Sequence, residues 1–144
     1  MRGLLIAVFF SFISAAATAQ GPSCDNIHVV DTRIPIFPPI ARAAHLQTSI
    51  TFTVRISKDG KSTISYKSGP NQGVYATLVN NAKDFLEGRE HQSDHHEACD
   101  YETTVEFRTI PAQAESPNNF QQLTIVNEHY ARLDVLDYKP TVNY

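Results

Sequence analysis

The chain has 144 residues, with 12 Lys and Arg against 15 Asp and Glu, a formal charge of −3, and 42% hydrophobic residues. That is enough chain for one domain with a core of its own. The slightly acidic balance gives no electrostatic reason to expect nucleic acid or an anionic membrane surface as partner.

The first 19 residues read as a secretory signal peptide. Met1-Arg2 supplies the positive start and Leu4 to Ile13 an apolar core, and Ala15-Ala-Ala-Thr-Ala19 then offers small residues for cleavage after Ala19. The apolar core is about ten residues long, against the roughly 20 that span a bilayer. An uncleaved anchor and a lipoprotein are the alternatives, and the cleavage point has no cysteine for the second. Removal of Arg2 leaves 11 basic and 15 acidic residues, and no membrane span is expected in what remains. The expected location is the periplasm or the medium.

Residues 20–36 form an N-terminal arm, in which Val29 and Val30 suggest a short strand. Pro39 suits the first turn of a helix, where its missing N–H has no intrahelical partner, so a helix is predicted from Pro39 to His45 with Ile40, Ala41 and Ala44 buried. From Ser49 to Ser57 the pattern alternates, with Ile50, Phe52, Val54 and Ile56 on one face. Asp59-Gly60 marks a hairpin turn, and the return strand Ser62 to Ser68 places Ile64 and Tyr66 inward.

The period becomes helical from Gln72 to Glu87, with Val74, Leu78, Ala82 and Phe85 or Leu86 along one stripe and Gly88 as C-terminal cap. Tyr101 to Ile110 alternates again, with Tyr101, Thr103, Val105 and Phe107 on one face. The short stretch Arg89 to Gln92 is placed as its hairpin partner, across a polar connection at 93–100. Residues 111–144 read as a linker followed by a β-hairpin. Its strands fall at Leu123 to Val126 and Tyr130 to Tyr138, turning at Asn127-Glu-His129. These C-terminal strands either complete the chain's own sheet or swap onto a second copy to make a homodimer.

Cys24 and Cys99 are the two cysteines. An even number in an oxidising compartment predicts a disulfide, which would tether the arm to the domain.

The order helix, strand, Asp-Gly hairpin, strand, helix, strand resembles the C-terminal domain of TonB-type energy transducers over residues 37–110. The resemblance is carried by Phe37-Pro-Pro-Ile-Ala-Arg-Ala-Ala-His45, the alternating strand and turn from Thr48 to Gly60, Ser68-Gly69, the helix ending near Phe85, and the closing strand from Tyr101 to Thr109. It implies an α+β fold, with two helices packed on one face of a small antiparallel sheet and the C-terminal strands as an addition. It also implies periplasmic work in transport, in which an extended segment of an outer-membrane transporter is gripped by strand addition at a sheet edge. The family's Trp-x-Phe-x-Pro motif has no counterpart, since Phe85, Glu87 and Arg89 stand there, and Thr48 replaces a family glycine. About 17 residues separate the signal from the domain, where an energy transducer needs an anchor and a long reach. The function expected is therefore an exported interaction module, with an envelope protein or transporter segment as partner.

One stretch offers a different chemistry. His91-Gln-Ser-Asp-His-His-Glu-Ala-Cys99 holds His91, His95, His96 and a thiol, a ligand set suited to zinc or copper. The alternative function is thus a periplasmic metal-binding protein using this loop. Its spacing matches neither Cys-x-x-Cys nor His-Glu-x-x-His, and a disulfide would remove the thiolate, so a solvated polar loop is expected. Asp94, Glu97 and Asp100 are read as solvated charges, and Phe52, Tyr66, Tyr75, Tyr101 and Phe107 as core. No nucleophile elbow, phosphate-cradling loop or nucleotide fingerprint occurs. Neither enzymatic activity nor a cofactor is expected.

Overall fold

The computed structural model describes residues 22–24, 27–31, 33–93, 97–111 and 121–137. The signal segment, the His95–His96 pair and most of the 111–119 linker lie outside them.

Nine elements follow in order: β1 (Ile27–Asp31), α1 (Pro39–Ala43), β2 (Thr48–Ile56), β3 (Ser62–Ser68), α2 (Val74–Glu87), β4 (Arg89–Ser93), β5 (Cys99–Ile110), β6 (Gln121–Asn127) and β7 (Tyr130–Leu136). The class is α+β, with a five-stranded sheet in the order β3-β2-β5-β7-β6 and a two-stranded ribbon β1-β4.

The β2–β3 hairpin forms for the reason its sequence suggests. Ser57 donates its N–H to the Lys61 carbonyl at 2.9 Å, and Gly60 donates to the Ser57 carbonyl at 2.9 Å. Gly60 holds φ at +78°, a left-handed value that costs glycine little. At the other end, Gly69 (φ +125°) lets the chain pass close to β2, where a Cβ would sit 2.8 Å from the Ser49 carbonyl oxygen.

Asp59 accepts hydrogen bonds in this turn, from Ser57 first and from Lys61, and these hold its carboxyl below the ordinary aspartate value. A lowered folded pKa means that the turn is supported above about pH 4, the unfolded range, and that the support goes as pH falls through the lower folded value. Protection of the Gly60 amide, relative to its intrinsic exchange rate, should therefore fall as pH drops below about 4 in the wild type, and Asp59→Asn should flatten that dependence.

Period-two burial fixes the inner face. Ile50, Phe52 and Val54 are wholly buried, as are Val105, Phe107, Ala131 and Leu133. They join Ala41 of α1 and Leu78, Ala82, Phe85 and Leu86 of α2 in one cluster. Phe37 meets Phe107 edge-on with ring centres 5.8 Å apart.

Four expectations are corrected. Arg89–Gln92 does not pair with Tyr101–Ile110; β4 pairs antiparallel with β1, Val29 opposite His91 and Val30 opposite Glu90. Local alternation reveals a strand but not its neighbour. Second, the sheet is mixed, because β7 runs parallel to β5 from Thr104↔Tyr130 to Ile110↔Leu136. A hairpin entering after a long connection can dock in either direction. Third, α1 stops at Ala43 and buries only Ala41, while Ile40 is 66% exposed and Ala44 is also exposed, a helix this short having one inward position. Fourth, Tyr66 lies on the inner side but is 39% exposed, since β3 is an edge strand with nothing beyond it among the described residues.

Candidate interaction edges of the sheet

Backbone hydrogen bonding in an antiparallel ladder alternates, so each strand points the N–H and C=O of every second residue away from a given neighbour. On β5 the even residues face away from β2, and three separate pieces of the chain meet them. Cys24 donates to the Asp100 carbonyl at 3.0 Å, and Asp100 donates to the Pro22 carbonyl at 2.9 Å. The Glu102 carbonyl is met at 2.7 Å by Nδ1 of His129, a side chain standing in for a strand. From Thr104 onward β7 takes over, beginning with the Thr104 N–H to the His129 carbonyl at 2.8 Å and ending with the Asp137 N–H to the Ile110 carbonyl at 2.8 Å.

The Cys24–Cys99 disulfide secures the first of these pieces; its Cα atoms are 5.0 Å apart and both cysteines are buried. The outer side of β5 is thus occupied by the chain itself. The edges of the main sheet are β3 and β6.

On β3 the hydrogen-bonded pair Ser57–Lys61 sets the phase. Thr63 and Ser65 direct their backbone groups at Arg55 and Thr53 of β2, and Ser62, Ile64 and Tyr66 direct theirs outward. The register shifts between Thr51 and Phe52, which leaves Lys67 as an extra residue and ends the regular edge. The accessible stretch therefore runs from Ser62 to Tyr66. Ile64 and the Tyr66 ring, edge-on to Phe52 at 6.4 Å, lie on its inner side.

Polar side chains elsewhere are engaged with one another. Arg55 grips Asp100 at 2.8 and 3.0 Å, so Asp100 is an ion-pair partner; the carboxylate raises the Arg55 pKa through that hydrogen bond first and through charge second. Lys67 reaches across β2 to Glu102. An open cavity of about 610 Å³ over this region is lined by Ser23, Lys67, Glu102 and His129 among others.

Arg89 is 4% exposed, lies over the Phe85 ring at 5.0 Å, and donates to the Glu128 carbonyl at 3.1 Å. It joins the ribbon, α2 and the β6–β7 turn. Beside it, His91 and the Tyr101 hydroxyl are 2.9 Å apart. Sequence reading gave neither Arg89 nor His129 a role, because Arg89 stands in a polar strand segment and His129 in a turn, where polar side chains look solvent-facing.

The nine-residue ligand-rich stretch divides. Cys99 is in the disulfide and has no thiolate to offer, His91 is paired with Tyr101, and His95 and His96 lie outside the described residues. Among the described residues no group of three metal-ligating side chains converges, and no helix is long and apolar enough to cross a membrane. Of the aromatics, Phe52, Tyr101 and Phe107 are core, Tyr75 is half-buried and Tyr66 is exposed.

Comparison with family models, with curated proteins and with solved structures returns no significant match.

Proposed function

We propose that this chain is an exported, TonB C-terminal-like interaction module that binds an extended segment of an envelope protein, such as an outer-membrane transporter, by strand addition at the Ser62–Tyr66 edge. In this reading α1 and α2 cover one face of the sheet and leave its β3 side for the partner. The observation that carries it is the pattern of edges. The outer side of β5 is taken by Pro22–Cys24, His129 and β7, whereas the outward backbone groups of Ser62, Ile64 and Tyr66 meet no strand among the described residues. Unpaired edge groups of this kind are templates for an added strand. The disulfide is compatible with export, since such bonds persist in oxidising compartments.

Ser62→Pro tests the edge directly. Ser62 opens β3 and points its N–H outward, so proline there removes an edge donor without breaking the ladder to β2. In cross-linked pull-downs from Gram-negative envelope extract, the variant should capture about fivefold less partner. That is the effect of one hydrogen bond worth about 1 kcal/mol. Unchanged capture by a normally folded variant would remove the Ser62–Tyr66 edge from consideration.

A further inference from the structure

The two sides and the end of the β3 edge differ chemically, and together they describe what fits. A strand laid beside Ser62–Tyr66 alternates its side chains between two faces. On the inner face it meets Ile64 and the exposed part of Tyr66, the first a member of the core cluster against which half-buried Val74 and Tyr75 of α2 also pack. Apolar side chains belong there. On the outer face it meets Thr63 and Ser65, short exposed hydroxyls that suit polar neighbours.

Charge then distinguishes the ends. The hairpin from Ser57 to Ser68 carries Lys58, Lys61 and Lys67 against Asp59 alone, a local +2 on a chain whose net charge is −3. Lys67 is turned back across the sheet to Glu102. Lys61 shares Asp59 at 3.2 Å and is 84% exposed, and Lys58 has no ion-pair partner among the described residues. The uncompensated positive charge therefore sits at the hairpin tip, at one end of the open edge.

The same lysines argue against a second copy as occupant. Two copies paired antiparallel about Ile64 would set Lys61 of each opposite Lys67 of the other, and like charges directly opposite destabilise a strand pair.

We infer that the segment accepted at this edge alternates apolar and polar residues over about five positions and is acidic where it passes Lys58 and Lys61. This rests on the strand-addition reading above and deepens it. Surface charges of this kind act on encounter rate and orientation, so the preference should weaken with salt.

Two synthetic peptides test it, each with a Val-Thr-Val-Thr-Val centre, one flanked by glutamates and the other by lysines. Binding to the intact oxidised protein is followed by anisotropy, and amide exchange is followed at Ser62, Ile64 and Tyr66. The glutamate peptide should bind about tenfold tighter at low salt and protect those three amides. Lys58→Glu/Lys61→Glu, two exposed substitutions, should reverse the ranking. Equal binding of both peptides with protection of the three amides would overturn the acidic preference and leave the edge reading standing. Binding without protection there, or no binding by either peptide, would overturn both.

Discussion

A chain ended after Pro111 is expected to lack a cooperative native state, although both helices and five of the seven strands among the described residues precede that point. The missing strand β7 contributes Ala131, Leu133 and Val135, each at most 1% exposed, and Leu136 at 7%. Burying a large aliphatic side chain is worth about 1.5–3 kcal/mol, so Leu133, Val135 and Leu136 together supply roughly 5–9 kcal/mol as an upper estimate. A whole domain commonly has about 5–15 kcal/mol to lose. Truncation also uncovers the β5 backbone from Thr104 to Ile110. It removes the carbonyl of Glu128 from buried Arg89, and it removes Asp137, which anchors α1 through Arg42 (3.1 Å) and His45 (3.0 Å). Near-UV circular dichroism and a urea titration decide the matter. A sigmoidal transition close to that of the full chain would mean that the chain up to Pro111 stands alone and that the hairpin is an accessory.

The parts of this fold that were readable share one property: their signal is local. Ile50, Phe52, Val54 and Ile56 alternate within a single strand, Asp59-Gly60 names its own turn, and Leu78, Ala82 and Phe85 repeat along one helix. Each pattern is generated by the burial of one element, so the residues that carry it are neighbours in sequence. The β6–β7 hairpin was visible for the same reason, with strands ending at Asn127 and starting at Tyr130.

What stayed hidden is pairing between distant segments. Alternation says which residues share a face and is silent about which strand lies alongside. Arg89 to Gln92 therefore had its strand character but not its partner, which lies some 60 residues earlier in β1. The parallel docking of β7 was hidden likewise, and with it the fact that decides the functional reading: the outer side of β5 is already filled. Of the proposed interaction edge, Ile64 and the hairpin turn were legible. That Tyr66 stands at an open border was not, because openness belongs to the order β3-β2-β5-β7-β6 as a whole.

Loss of the disulfide is the other change expected to have a large effect. Cys24 and Cys99 are 75 residues apart in sequence, and closing a loop of that size lowers the entropy of the unfolded chain by the equivalent of about 4 kcal/mol. The double variant Cys24→Ala/Cys99→Ala should therefore unfold at a midpoint roughly 2 M lower in urea, and reduced wild type should behave alike. Both sulfurs belong to buried residues, so some loss comes from packing as well. The single variant Cys24→Ala, compared with wild type under reducing conditions, isolates that part, because neither has the crosslink. A second consequence is local. Without the tether, the bonds between Pro22–Cys24 and Asp100 depend on a short stretch whose next described anchor is β1, paired with β4 and not with β5, and the Asp100 amide should exchange far faster than its β5 neighbours facing β2. A midpoint shift under 1 M with Asp100 still protected would show that the arm docks through its own contacts. The first piece closing β5 would then be independent of redox state. The expected outcome instead makes closure of this strand conditional on the crosslink at Asp100 and on β7 beyond Thr104, while among the described residues β3 and β6 are the borders of the main sheet in both states.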